Sequence, residues 1–148
     1  MACGYSQIAG MNFSSDEVYA GVCSYSGIRF LLSYACQKGY ILSQADISSA
    51  YLESQLDEEV YMNVPPDMYV NGKPPVDEHG NELVCRLRRG LYGLRQSGYL
   101  WNECFREFLT KDAAYNMGFV EMTGEPNMYR KVFELNGKTE EVLLGICR

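Results

Sequence analysis

The sequence predicts an α+β chain in which a mostly antiparallel sheet packs on helices. Three observations carry that expectation. Residues 26–38 place Ile28, Leu31, Leu32 and Ala35 at helical spacing and stop at Gly39. Residues 97–116 carry Leu100, Trp101, Cys104, Phe105, Phe108 and Leu109 along one side of a longer helix, with Gly118 beyond it. Two β-prone stretches, NMYRKVFEL and TEEVLLGIC, flank Asn136-Gly137. That dipeptide is a strong hairpin signal, because it tolerates positive φ at both turn positions. Helices and strands mixed in this way define an α+β pattern.

The remaining elements follow in order. Residues 1–24 are rich in Gly and Ser and read as extended segments and turns. YILSQAD, residues 40–46, reads as a strand with Asp46 at its end, and SSAYLESQL as a short helix or turn capped by Ser48 or Ser49. Residues 58–64 form a strand that Pro65 and Pro66 stop. DMYVNGKPPVDEHGN is polar and full of turn formers, which suits an exposed loop or hairpin. Residues 82–88 form another strand, after which Gly90 and Gly93 break the chain. Trp101, Phe105, Phe108 and Leu109 read as core packing, and EEVLLGIC as a buried strand.

A length of 148 residues suits one compact domain, and 47% apolar against 22% charged content is ordinary for a globular protein. The net charge of −6 argues against a wholly basic nucleic-acid binder but allows a local basic groove. Six cysteines show neither a CxxC pair nor a regular spacing, and His79 is the single histidine, so a structural zinc site is not expected. Cys23, Cys36, Cys85 and Cys104 have apolar neighbours and read as reduced core residues, which points to an intracellular setting. No apolar run is long enough to span a bilayer, and the N-terminus lacks the apolar stretch of a signal peptide, so no membrane partner is expected.

Two stretches carry candidate chemistry. A carboxylate at a strand end, as at Asp46, can coordinate a hard cation such as Mg²⁺, or can simply cap the next turn. Ser48, Ser49 and Ala50 are small enough for close backbone approach, and their N–H groups could receive phosphate oxygens or serve a helix start. Tyr51 projects beside that turn. The second stretch is CRLRRGLYGLRQSGYLW, residues 85–101. Its Arg86, Arg88, Arg89 and Arg95 alternate with Tyr92 and Tyr99, a pattern that suits a nucleic-acid backbone and its bases. A solvated basic strand edge that discourages strand pairing is the competing reading.

Four blocks in this order resemble the reverse transcriptase of copia-type LTR retrotransposons. They are GYSQIAGMNF, SGIRFLLSYACQKGYILSQADISSAYLESQLDEEVYMNVPPDM, VCRLRRGLYGLRQSGYLWNECF and EPNMYRKVFE with EVLLGI. The resemblance implies a partial reverse transcriptase domain over residues 1–148. Residues 1–24 would be a remnant of a fingers-proximal segment, and residues 25–148 palm and fingers ending before the family's Tyr-x-Asp-Asp motif. By the same likeness Asp46 is the first palm aspartate, a ligand of both catalytic Mg²⁺ ions, with the Ile47 carbonyl completing one metal shell. Ser49 and Ala50 would offer N–H groups to the incoming dNTP, and Tyr51 would be the ring that excludes a 2′-hydroxyl. Tyr92 and Gly93 match a turn lining the nucleotide pocket. Arg95 matches a basic position near an RNA/DNA template-primer, beside Arg86, Arg88 and Arg89.

The chain also departs from that pattern. After VLLGI, Cys147 stands where the family has tyrosine, Arg148 follows, and no aspartate pair is present. One carboxylate cannot hold two cations about 4 Å apart. Gly98 stands where the family usually has proline, and Ser48 where it often has lysine. The expectation is therefore a retroelement Pol fragment whose parent transfers nucleotides from dNTP to a primer 3′-hydroxyl, and which is inactive alone. A non-catalytic nucleic-acid-binding or structural remnant is the alternative. The last strand is expected to leave Leu143, Leu144 and Ile146 short of full burial, with marginal folding as the consequence.

Overall fold

The computed structural model describes residues 4–111 and 117–147. Cys3, Arg148 and the predicted helical residues 112–116 lie outside the described residues. The described part is α+β, with two α-helices and two antiparallel sheets. Its contacts divide the chain into two units. One comprises residues 1–19 and 49–101, the other residues 20–48 and 102–148.

The first unit is built on a hairpin of β1 (Gln55–Asn63) and β2 (Val84–Arg89). Val60, Tyr61, Met62 and Asn63 pair with Leu87, Arg86, Cys85 and Val84. Between Gln55 and Val60 the register shifts, so Leu56, Asp57, Glu58 and Glu59 bulge from the ladder. Pro65 and Pro66 end β1 as expected, since proline cannot donate to the ladder. The polar insert that follows folds into tight turns. In one, Asn71 and Gly72 take φ of 52° and 74°. In the other, Asp77 accepts from the backbone N–H groups of His79 and Asn81.

The second unit contains α1 (Tyr25–Lys38) and a sheet in the order β3 (Val120–Glu121), β4 (Met128–Leu135), β5 (Lys138–Gly145). Helix α1 starts where the Ser24 hydroxyl accepts from Gly27 N–H at 3.0 Å. It ends in a left-handed Gly39 (φ 69°) whose N–H reaches Cys36 O while Tyr40 N–H reaches Ala35 O, a Schellman arrangement. Asn136 and Gly137 both have positive φ, as the hairpin signal requires. Helix α2 (Ser97–Thr110) runs across the division between the units. No helix among the described residues is long and apolar enough to cross a membrane.

Three expectations need correction. Residues 40–46 form no strand: the stretch is irregular, with Ile41 93% exposed. A strand exists only through a ladder partner, none pairs with this stretch among the described residues, and the β-propensity of Tyr-Ile-Leu alone does not order it. Cys36 and Cys104 are exposed and Cys85 is half-buried, whereas Cys23 is buried as expected. Apolar neighbours in sequence do not fix which side of a helix a cysteine takes. Finally, EEVLLGIC is not a buried strand: β5 lies at the edge of its sheet. Val142 is exposed, and Leu143 and Leu144 are half-buried, short of full burial as expected of the last strand. Ile146, expected to share that shortfall, lies just past the strand and is buried. Of the core candidates on α2, Leu109 is fully buried, and the aromatic Trp101, Phe105 and Phe108 are half-buried.

Candidate functional site

Tyr51 lies in a single 3-10 turn, Ala50–Glu53, entered through Ser49 in the left-handed conformation (φ 58°). The Ser49 side chain makes no capping bond; its carbonyl accepts from Leu52 N–H at 2.8 Å. The turn is closed by Ser54, almost wholly buried, whose hydroxyl donates to Tyr51 O at 2.9 Å. Gly90 N–H donates to Ser54 O at 3.0 Å. A side chain on Gly90 would put its Cβ 2.6 Å from Tyr51 O and 2.7 Å from Ser54 Oγ, so only glycine lets the two backbones approach this closely.

Tyr92 sits on the turn that follows, closed by Leu94 N–H to Leu91 O, with Gly93 at φ 103°. The ring of Tyr92 meets that of Tyr51 at a centroid distance of 4.6 Å and an interplanar angle of 34°. Tyr92 remains 45% exposed. The structure thus brings together Tyr51, Tyr92 and Gly93, with Ser49 and Ala50 leading into the Tyr51 turn, as a half-open aromatic surface.

Three of the four arginines are engaged by partners within the first unit. Arg86 pairs with Glu59 at 2.8 Å on the exposed face of the hairpin. Arg89 pairs with Glu53 at 3.5 Å and donates to Leu52 O at 3.0 Å. Arg95 donates from Nε to Gly4 O at 3.0 Å, with its guanidinium over the Phe13 ring. Arg88 is exposed and makes no ion pair among the described residues. Arg86 and Arg88 border a shallow hollow of about 360 Å³ that Asp57, Glu58 and Glu59 also line, so its field is mixed rather than basic.

Asp46 and Ile47 belong to the second unit. Both are exposed, in the irregular segment after α1. Among the described residues no cluster of three or more His, Cys, Asp or Glu side chains could hold a metal ion. The segment is tethered at its start. The hydroxyls of Tyr40 and Tyr34 donate to Glu141 Oε2 at 2.8 and 3.1 Å, and Arg130 Nε donates to the other oxygen. These bonds hold the Glu141 carboxyl below the usual range, with Arg130 the largest cause.

Sequence reasoning missed the buried polar group behind the Tyr92 turn. Gln96 is fully buried; its carbonyl accepts from Gln7 Nε2 at 3.0 Å and its amide donates to Asn12 O at 2.9 Å. No spacing signal could have joined two glutamines 89 positions apart.

The chain belongs to the reverse transcriptase (RNA-dependent DNA polymerase) family, whose sequence model matches residues 1–146. Within it, the chain is similar to Pol polyproteins of transposons. It is 31% identical over 133 residues to the retrovirus-related Pol polyprotein from transposon TNT 1-94 of Nicotiana tabacum, covering 90% of this chain and 9% of that protein. It is 30% identical over 129 residues to the one from transposon RE2 of Arabidopsis thaliana, covering 87% of this chain and 8% of that protein. Over 80 residues it is 40% identical to the truncated transposon Ty1-A Gag-Pol polyprotein of Saccharomyces cerevisiae, covering 54% of this chain and 6% of that protein. The chain therefore spans less than a tenth of the length of these curated relatives. No solved structure matches it.

Proposed function

We propose that these residues are the nucleotide-contacting part of a copia-type retrotransposon reverse transcriptase, with palm and fingers character, and that by themselves they do not polymerise. The observation that carries the reading is the 4.6 Å approach of Tyr51 to Tyr92, which joins two motifs that the family resemblance picked out separately. In this reading the Tyr51 ring lies under the sugar of an incoming dNTP and leaves no volume for a 2′-hydroxyl. Ser49 and Ala50 offer backbone N–H groups to its phosphates, Tyr92 and Gly93 form the neighbouring wall, and Arg88 faces an RNA/DNA template-primer.

Asp46 is the carboxylate through which the parent enzyme would hold Mg²⁺, with the Ile47 carbonyl beside it. Bound there, the ions would stabilise the attacking and leaving oxygens of the transfer. The described residues do not complete such a site: one exposed carboxylate is too few for a pair of ions about 4 Å apart.

Primer extension by the purified 148-residue chain tests the reading. No extension is expected with Mg²⁺ or Mn²⁺. Extension that disappears in Asp46→Ala would show that these residues hold a complete catalytic centre and would overturn the proposal.

A further inference from the structure

We propose that residues 4–13 act as a clamp that sets the geometry of the Tyr51–Tyr92 surface, with the buried Gln96 as its central positioning residue. The inference rests on the nucleotide reading only for what the surface binds. Its physical basis lies wholly in the first unit.

Tyr92 rides on the turn closed by Leu94 N–H to Leu91 O, and its ring meets that of Tyr51. Its position is therefore fixed by whatever pins the backbone on either side. On one side Ser97, fully buried, brackets Leu91: its hydroxyl accepts from Leu91 N–H and donates to Leu91 O, both at 2.9 Å. On the other side the N-terminal segment presses on Gly93. A Cβ on Gly4 would stand 1.9 Å from Gly93 O, so the contact exists only because residue 4 lacks a side chain. Gly4 O accepts from Arg95 Nε, and Gln7 Oε1 accepts from Arg95 N–H at 2.9 Å. Gln7 Nε2 then donates to Gln96, whose amide spans to Asn12 O.

Both ends of the fully buried Gln96 amide are thus occupied, by partners that are themselves half-buried. An apolar replacement would strand the Asn12 carbonyl and the Gln7 amide, and unmade bonds of buried groups are costly. The segment must then move, and Gly93 and Tyr92 move with it. This gives Arg95 a different task from the template contact expected of it: its Nε and backbone N–H are spent holding the clamp.

The experiment is ¹⁹F NMR of the chain labelled with 3-fluorotyrosine, with signals assigned through Tyr51→Phe and Tyr92→Phe. Gln96→Leu, Gln7→Leu and Gly4→Ala are compared with the parent sequence, with Tyr34 and Tyr40 as internal references. The expected result is that the Tyr51 and Tyr92 signals shift by more than a linewidth while the references stay in place. Unmoved Tyr51 and Tyr92 signals in a folded variant overturn the proposal. So does collapse of all tyrosine signals together in every variant, which would mark these residues as general folding determinants. No nucleotide is needed, so failure here leaves the nucleotide reading standing. Conversely, a chain that binds no nucleotide could still show the clamp.

Discussion

At the scale of single residues, the Tyr129 hydroxyl is one of the buried polar groups left without a partner among the described residues. Tyr129 is fully buried on β4. Burial pushes its pKa up to about 12, and the negative charge of Glu121 acts in the same direction. The buried Asn102, by contrast, is paired, donating to Asn127 Oδ1 at 2.6 Å. An unmet buried hydroxyl costs free energy that a phenyl ring does not. Tyr129→Phe is therefore expected to be neutral or to stabilise by up to about 1 kcal/mol in urea unfolding. A loss of about 1 kcal/mol or more would reveal a bond that the hydroxyl does make.

At the scale of elements, the second unit depends on how α1 joins the β4–β5 hairpin. Glu141 is the joint: it collects Arg130 from β4, Tyr34 from α1 and Tyr40 from the residues after it. Because its carboxyl is held below the usual Glu value of 4.5, its contribution is complete above that pH. It is lost as the pH falls through the lower, folded value. The two tyrosines are raised above their usual 10, chiefly by the same bonds, so their contribution is complete below that value and fails as the pH rises past it. Thermal melts across pH should show a plateau between these limits, with an acid slope that flattens in Glu141→Gln. An unchanged acid slope in that variant would assign the acid sensitivity elsewhere.

The elements that sequence made legible share one property: their determinants are local. Ser24 and Gly39 bracket α1, Asn136-Gly137 sets the β4–β5 turn, and Pro65 stops β1, each acting within a few residues. The strand expected at 40–46 failed because pairing is not local. Asp46 was legible as a residue type in a pattern, but not as a residue on an irregular, exposed segment. The arginines were legible as a cluster in sequence, whereas the acids that neutralise two of them come from other elements, Glu59 from β1 and Glu53 from the Tyr51 turn. The resemblance assigned Tyr51 and Tyr92 separately to a nucleotide pocket, and their ring contact followed from neither resemblance nor spacing. The Gln7–Gln96 bond followed from neither.

At the scale of the whole molecule, the family assignment rests on nearly the full chain, whereas the chain corresponds to under a tenth of its relatives. We therefore assign polymerisation, as a proposal, to a complete enzyme of the family. For this chain we propose that the Tyr51–Tyr92 surface reads the sugar of the nucleotide. Steric selection of this kind is worth about 10- to 100-fold per small group admitted or refused.

The direct test is the ratio of kcat/KM for dNTP over the matching rNTP, measured on a complete enzyme of the family that carries residues 44–101 of this chain in place of its own. With Tyr51→Ala in the exchanged segment, the ratio should fall by about 10- to 100-fold, mainly through faster use of rNTP. A ratio that stays the same when the ring is removed would contradict the account.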